Sequence, residues 1–367
     1  MKILMSIHHV LDRNSGAPGA TINLAEAMIR QGVDVELLSY DNFNLRDDIV
    51  SQFQYPLRVQ RHLLHHAKEF EIIDASTGDT WVNLIRRRPS GPKIVTRSHG
   101  LEHTAYWATE SRNGVIGLDR LSWKFRRYQT FRLWQVALTL RKADLNLFLN
   151  EQDRAFSVQH LGVSHSRTAK VANGIPSTFL NRSVSFDLPY ILRIANIGTF
   201  TTQKGIYYDC SALNSILIHY PNVMVSFVGT GVPAREVLQL FDPIVHSRIT
   251  VIPKYAHESL PQLLQGHQIF FFPTLSEGFG MALVEAMAMG LAPVTTDTAG
   301  PREIVEHETN GIMVAARDSQ ALKGAVERLL KNPRLLTDLR INAFYAAQKY
   351  GWDDIASNTI ALYNQII

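Results

Sequence analysis

The chain reads as an α/β protein made of two open, doubly wound parallel sheets. Short apolar runs alternate with longer amphipathic stretches along nearly its whole length, the pattern of strands joined by crossover helices. Glycine-bearing loops follow several of those runs directly, as they do where strands hand over to helices in such sheets. A length of 367 residues suggests two domains rather than one.

Composition narrows the class. With 46% hydrophobic and 19% charged residues the chain is ordinary for a folded globular protein, and disorder is not favoured. No apolar run approaches the roughly 18 residues that span a bilayer. Residues 1–8 are too short for a signal segment and read as a first strand, so the expected location is the cytoplasm. The single cysteine, Cys210, excludes an internal disulfide and a cysteine metal or redox cluster; it reads as a small buried helix residue. The net charge of +4 is uneven: residues 1–180 hold 23 Lys and Arg against 17 Asp and Glu, and residues 181–367 hold 14 against 16. The basic half favours anionic partners or an anionic membrane surface.

In chain order, residues 2–7 form an apolar strand, 14–19 a loop with Gly16 and Gly19, and 20–31 an amphipathic helix stopped by Gly32. With the strand 33–38 this is a βαβ unit, and its loop serves either as a plain turn or as a close approach to phosphate. His62, His65, His66 and Glu69 share one helical face; with no second ligand cluster, a solvated face is the stronger reading than a metal site. Strands at 70–74 and 93–96 flank a helix at 80–87, and the second runs into His99-Gly100, where open sheets place ligand sites. His8, His9 and His103 read as ordinary turn histidines. Residues 121–142 mix bases with aromatics. They form either a covering helix with core aromatics and solvated arginines, the preferred reading, or a peripheral contact to an anionic membrane. No recognition motif for nucleic acid accompanies them. A strand at 143–149, a helix 150–160 capped by Asn150 and the turn Asn173-Gly174-Ile175-Pro176 close the first half. Residues 177–189 read as a linker, giving domains 1–180 and 181–352.

The second half repeats the pattern. A strand at 191–197 leads to Gly198 and, at the head of the next helix, Lys204-Gly205, a junction suited to phosphate. Strands at 223–228 and 249–252 follow, the latter running into Pro253-Lys254-Tyr255, with a short helix at 259–265. The strand 269–272 stops at Pro273, and Ser276-Glu277-Gly278-Phe279-Gly280 opens a turn before a helix over 281–289. Glu285 lies eight residues beyond Glu277; on one helix the two would sit about 80° apart, so Glu277 is placed in the loop. A strand at 292–296, a helix starting at Gly300-Pro301-Arg302-Glu303, a turn at Asn310-Gly311, and helices over 318–330, 334–349 and 353–367 complete the chain.

Glu277 and Glu285, in Ser-Glu-Gly-Phe-Gly-Met-Ala-Leu-Val-Glu-Ala-Met-Ala, resemble the signature of glycosyltransferase family 4, a large family of retaining enzymes. The resemblance implies the GT-B architecture: two Rossmann-like domains facing a cleft, with the last helix, 353–367, packed back on the first. It implies that Glu277 orients the donor sugar, that Glu285 takes the ribose hydroxyls, and that Gly278, Phe279, Gly280 and Leu283 belong to the donor site. Gly16 and Gly19 would approach the diphosphate, His99 the donor sugar, and Lys254 and Tyr255 the base. Lys204 would neutralise the departing diphosphate, normally with a basic residue where this chain has Thr199. That departure leaves one cation for the work of two.

The expected reaction is retaining, metal-independent hexosyl transfer to a glycan or glycolipid acceptor in polysaccharide biosynthesis. No Asp-x-Asp occurs in the chain, no cofactor is expected, and UDP is the expected product. UDP-glucose is the favoured donor. The alternatives are a GDP-mannose-dependent mannosyltransferase and a catalytically impaired nucleotide-sugar-binding protein.

Overall fold

The computed structural model describes residues 1–86, 91–106 and 123–367, without the side chains of residues 123–129 and 206–209. The chain divides into two compact units, Met1–Gly174 with Trp352–Ile367, and Ile175–Gly351. The break falls at Gly174 rather than at residue 180, because Ile175 N–H bonds the Tyr350 carbonyl at 2.7 Å within the second unit. No helix among the described residues is long and apolar enough to cross a membrane.

The first unit holds a six-stranded parallel sheet: β1 (Lys2–Ser6), β2 (Asp34–Leu38), β3 (Ile72–Ser76), β4 (Lys93–Arg97), β5 (Leu145–Phe148) and β6 (Thr168–Lys170), in the order β2-β1-β3-β4-β5-β6. The chain leaves β1 in one direction for β2 and in the other for β3, so the crevice between β1 and β3 is the switch point where such sheets bind ligands. Leu4, Ile73 and Ile94 are buried on one face of this sheet against Tyr55 and Val59 of the helix Ile49–His66.

The second unit holds β7 (Leu192–Ile197), β8 (Val223–Val228), β9 (Ile249–Ile252), β10 (Ile269–Phe272), β11 (Ala292–Thr296) and β12 (Ile312–Val314), ordered β12-β11-β10-β7-β8-β9. Counted from β7 this is 3-2-1-4-5-6, the dinucleotide-binding order, with its switch point between β7 and β10. Every residue of β10 and β11 is buried, as expected of central parallel strands covered on both faces.

Three departures from the sequence expectations have physical causes. The first helix begins at Gly16, not at residue 20, because Pro18 falls in its first turn, where a missing N–H costs nothing. The stretch read as a linker is tied down: Arg340, 3% exposed, donates to the carbonyls of Ser185 (2.8 Å), Phe186 (3.0 Å) and Gly290 (2.8 Å). The helix Trp123–Lys142 departs from the preferred reading at three positions, while Arg141 and Lys142 are exposed as that reading expects. Arg132 is buried, whereas Phe131 and Trp134 are exposed.

The last helix, Trp352–Asn364, packs in the first unit against the helix Gly16–Arg30, with Arg30 Nη2 donating to Asp353 Oδ1 at 2.5 Å. Near its end Tyr363 donates to Asp74 on β3, and Arg97 on β4 donates to Asp74 Oδ2 at 2.7 and 2.9 Å and to the Tyr363 oxygen at 3.1 Å. All three side chains are buried, and the Tyr363 hydroxyl is pushed well above its usual pKa by burial and by Asp74. Removing that hydroxyl in Tyr363→Phe leaves buried partners short of a bond. A loss of about 1–3 kcal/mol in urea unfolding is expected.

Candidate active site

In the second unit the switch point is built by two loops far apart in sequence. After β7, Gly198 takes a left-handed φ of +139° and the chain runs through a short 3-10 turn, Thr202–Lys204, to Gly205 at φ +87°. After β10, Pro273 ends the strand and residues 273–280 form the loop carrying Glu277. The two loops are bonded to each other: Leu275 N–H donates to the Gln203 carbonyl at 2.8 Å, and the Gln203 amide donates to the Ser276 carbonyl at 3.3 Å. This backbone link sets Lys204 beside Glu277, and Lys204 Nζ donates to Glu277 Oε2 at 2.6 Å. The lysine also lies 5.6 Å from the centre of the Phe272 ring.

Gly280 closes the Glu277 loop in the left-handed region, φ +105°, as the cap of the helix Met281–Ala288. Gly280 contributes no side-chain cap, and the helix's positive dipole end faces the Glu277 loop. A second loop braces the first. Gly300 N–H donates to the Glu277 carbonyl at 2.8 Å, and a Cβ on Gly300 would lie 2.3 Å from the Phe279 oxygen. From sequence Gly300 is legible only as a helix start, because a close approach between loops leaves no local signature. Phe279 and Leu283 are buried, and the Leu283 amide bonds the Gly280 carbonyl at 3.0 Å; these two residues shape the loop from beneath. Gly278 lies between Glu277 and Phe279 in the same loop.

Glu285, buried on that helix, accepts from His257 Nε2 at 2.7 Å. His257 follows β9, two residues past Tyr255, and sequence reading did not select it. Its hydrogen bond to Glu285, and then the carboxylate's charge, raise the imidazole above its usual pKa. Tyr255 packs on Gly229, where a Cβ would lie 2.7 Å from the ring, and burial with help from Glu285 pushes its hydroxyl up to about 12. Lys254 and Thr199 are exposed at the ends of β9 and β7.

Because the folded-state pKa of His257 is raised, its contribution to stability is complete below the unfolded value of about 6.5 and disappears as pH rises through the raised value. The difference in melting temperature between the native chain and His257→Gln is therefore expected to be largest in mild acid and to shrink above neutrality. A difference that grows with pH would contradict the pairing.

In the first unit the switch point gathers a polar cluster. His99, after β4, is held neutral: burial, then Arg97, lower its pKa to about 3. Its Nδ1 is buried without a hydrogen-bond partner. His8, expected from the sequence to be a turn histidine, lies two residues past the end of β1, and its Nδ1 is 2.7 Å from Asp79 Oδ1. Burial and the neighbouring Arg132 push the His8 pKa well down, and because the Arg132 guanidinium can only donate, the neutral ring accepts from it through Nε2 at 3.3 Å and turns Nδ1–H to Asp79. Arg132 also donates to the Thr77 carbonyl (2.8 Å) and to Glu102 Oε1 (3.0 Å). Its guanidinium sits so close to Gly78 that a Cβ there would fall 2.4 Å from Nη1. Gly16 is exposed at the start of its helix. Gly19 is buried, and a Cβ on it would lie 2.6 Å from the Arg13 carbonyl, so its missing side chain lets the preceding loop close. Among the described residues no three His, Cys, Asp or Glu side chains gather as a metal site.

Two parallel, helix-covered six-stranded sheets, the second in dinucleotide-binding order, define the GT-B class of glycosyltransferase folds. Sucrose-phosphate synthase from Thermosynechococcus elongatus superposes with a TM-score of 0.78 at 20% identity, over 99% of this chain and 98% of that one. Anabaena HepE in complex with UDP-glucose matches with a TM-score of 0.70 at 17% identity, over the full length of both chains. Residues 191–332, which carry Lys204, Glu277 and Glu285, match the family of glycosyl transferases group 1. An uncharacterized glycosyltransferase of Methanocaldococcus jannaschii is 29% identical over 170 residues, 46% of this chain and 43% of the relative. The match thus spans less than half of that relative's length.

Proposed function

We propose that the chain is a retaining, metal-independent glycosyltransferase. It moves a hexosyl group from a nucleotide sugar, with UDP-glucose the favoured donor, to a glycan or glycolipid acceptor in polysaccharide biosynthesis. The observation that carries this reading is the Lys204–Glu277 pair at the switch point of the second sheet. It sets a cation for a departing diphosphate beside a carboxylate for sugar hydroxyls. The group 1 match over the same residues supports the reading, as does a structural neighbour that is a complex with UDP-glucose.

In this mechanism Lys204 turns from Glu277 to the diphosphate when donor enters, and the first-turn amides of Met281–Ala288 share the developing negative charge. Glu277, released from Lys204, accepts from donor hydroxyls and orients the anomeric carbon. Glu285, held by His257, accepts from the ribose hydroxyls. Lys254 and Tyr255 serve the base. The acceptor attacks on the face the diphosphate leaves, within an ion pair, and the diphosphate takes the acceptor's proton. The configuration is then retained without a covalent enzyme intermediate, and UDP is the product.

Thermal-shift screening against UDP- and GDP-sugars in EDTA tests the donor. A rise with UDP-sugars alone supports the reading, and a rise with GDP-mannose alone replaces it with the mannosyltransferase. A specific feature favours a second reading: exposed Thr199 stands where a second cation is expected. Donor binding with neither transfer nor slow donor hydrolysis would make the chain a binding protein.

A further inference from the structure

The first unit carries an exposed apolar surface that its core does not use. The helix Ile49–His66 is apolar on two sides. Tyr55, Val59 and Leu63 are buried beneath it, while Phe53 is 40% and Leu57 51% exposed on the opposite face. Phe53 stacks on Phe131 at 5.6 Å, and Phe131, 37% exposed, stacks on Trp134 at 5.7 Å. Trp81 meets Phe131 and Trp134 edge-on at 6.0 and 5.5 Å, and Ile85 is exposed on the same short helix, Trp81–Ile85. Three helices thus present one continuous aromatic and aliphatic patch.

Charge states what would cover the patch. Residues 49–66, 81–88 and 123–142 contain two, three and six Lys or Arg respectively and no Asp or Glu. The nearest carboxylate before the first helix, Asp48, is engaged as its cap, accepting from Ser51 N–H at 2.7 Å. Arg58, Arg61 and Arg86 are exposed among the apolar residues. Exposed rings with Arg58, Arg61 and Arg86 exposed on the same described segments match the interface of an anionic bilayer, where rings enter the headgroup boundary and guanidiniums meet phosphates. A second copy of the chain would set these positive charges against each other. Nucleic acid would leave the aliphatic side chains of Leu57 and Ile85 without partners.

We propose that this three-helix patch docks the protein on an anionic lipid surface, with Phe53, Leu57 and Trp134 entering the boundary and Arg58, Arg61 and Arg86 on the headgroups. The proposal is independent of the donor chemistry. The experiment is co-sedimentation of the full chain with vesicles of phosphatidylcholine alone or mixed with phosphatidylglycerol, at low and high salt. Binding to the mixed vesicles, weakened by salt and absent with phosphatidylcholine alone, is expected. The variant Phe53→Ser/Leu57→Ser/Trp134→Ser is expected to bind at least about tenfold more weakly, with its melting temperature and nucleotide response kept. Arg58→Glu/Arg61→Glu, a surface change that leaves the fold intact, is expected to lose the preference for anionic lipid. Absence of vesicle binding by the native chain, or binding unchanged in both variants, would overturn the proposal. Tighter binding to duplex DNA than to vesicles, or a dimer that only the triple variant dissolves, would overturn it in favour of those partners.

Discussion

Replacing Glu277 by glutamine is expected to lower kcat for glycosyl transfer by about 100- to 1000-fold while leaving UDP affinity within a few fold. The asymmetry follows from geometry. Glutamine keeps the size of the side chain in a loop held by Gly280 and by the Gly300 bond, so the backbone of the site is preserved. On the proposed function, what is lost is an anion that accepts from two hydroxyls and steadies positive charge at the anomeric carbon. Lys204, without its carboxylate partner, still meets the diphosphate. Steady-state kinetics with radiolabelled donor, beside a calorimetric titration of UDP, separates the two effects. Equal losses in kcat and in UDP affinity would move Glu277 from the sugar to the structure of the loop.

Glu285→Ala is expected to act on donor binding and on stability together. The carboxylate is buried and bonded to His257, so its removal leaves a cavity and an imidazole whose partner is gone. A loss of about 1–3 kcal/mol in urea unfolding is expected. A rise in donor KM on the order of tenfold or more accompanies it, since two ribose hydroxyls lose their acceptor. His257 should then titrate without the upward pull of Glu285, a shift that proton NMR of the imidazole reads directly. A KM unchanged in a folded Glu285→Ala would separate the buried pair from the donor.

The legible parts of the molecule were those written locally. The strand, loop and helix around Glu277 lie within one short stretch, so apolar run, proline stop, glycines and helix formers all speak at once. The alternation of strands and helices gave the α/β class for the same reason, and Asn150 caps its helix as its side chain requires, accepting from Asp153 N–H at 2.8 Å. The short strands β6 and β12 escaped, being too brief for a period to show.

The illegible parts depend on residues that meet only after folding. His8, Asp79 and Arg132 come from three separate segments, and composition ranks an arginine among aromatics as the solvated partner. Here the sheet's switch point needs Arg132 inside, so the neighbouring Phe131 and Trp134 are turned outward on their helix. One signal was available. His8 stands just past the end of the first strand, the same kind of position that drew attention to His99. His257 had a similar signal, two residues beyond Tyr255 in the loop after a strand, but its partner Glu285 already had a role assigned.

The most direct test of the account is the calorimetric titration of UDP, in EDTA, into the native chain and into Lys204→Ala. The account predicts a single site in the native chain, and affinity at least about tenfold weaker in the variant, because the amine now held by Glu277 is the cation that meets the diphosphate. Equal affinity in the two proteins, or binding by the native chain only after a divalent metal is added, would contradict it.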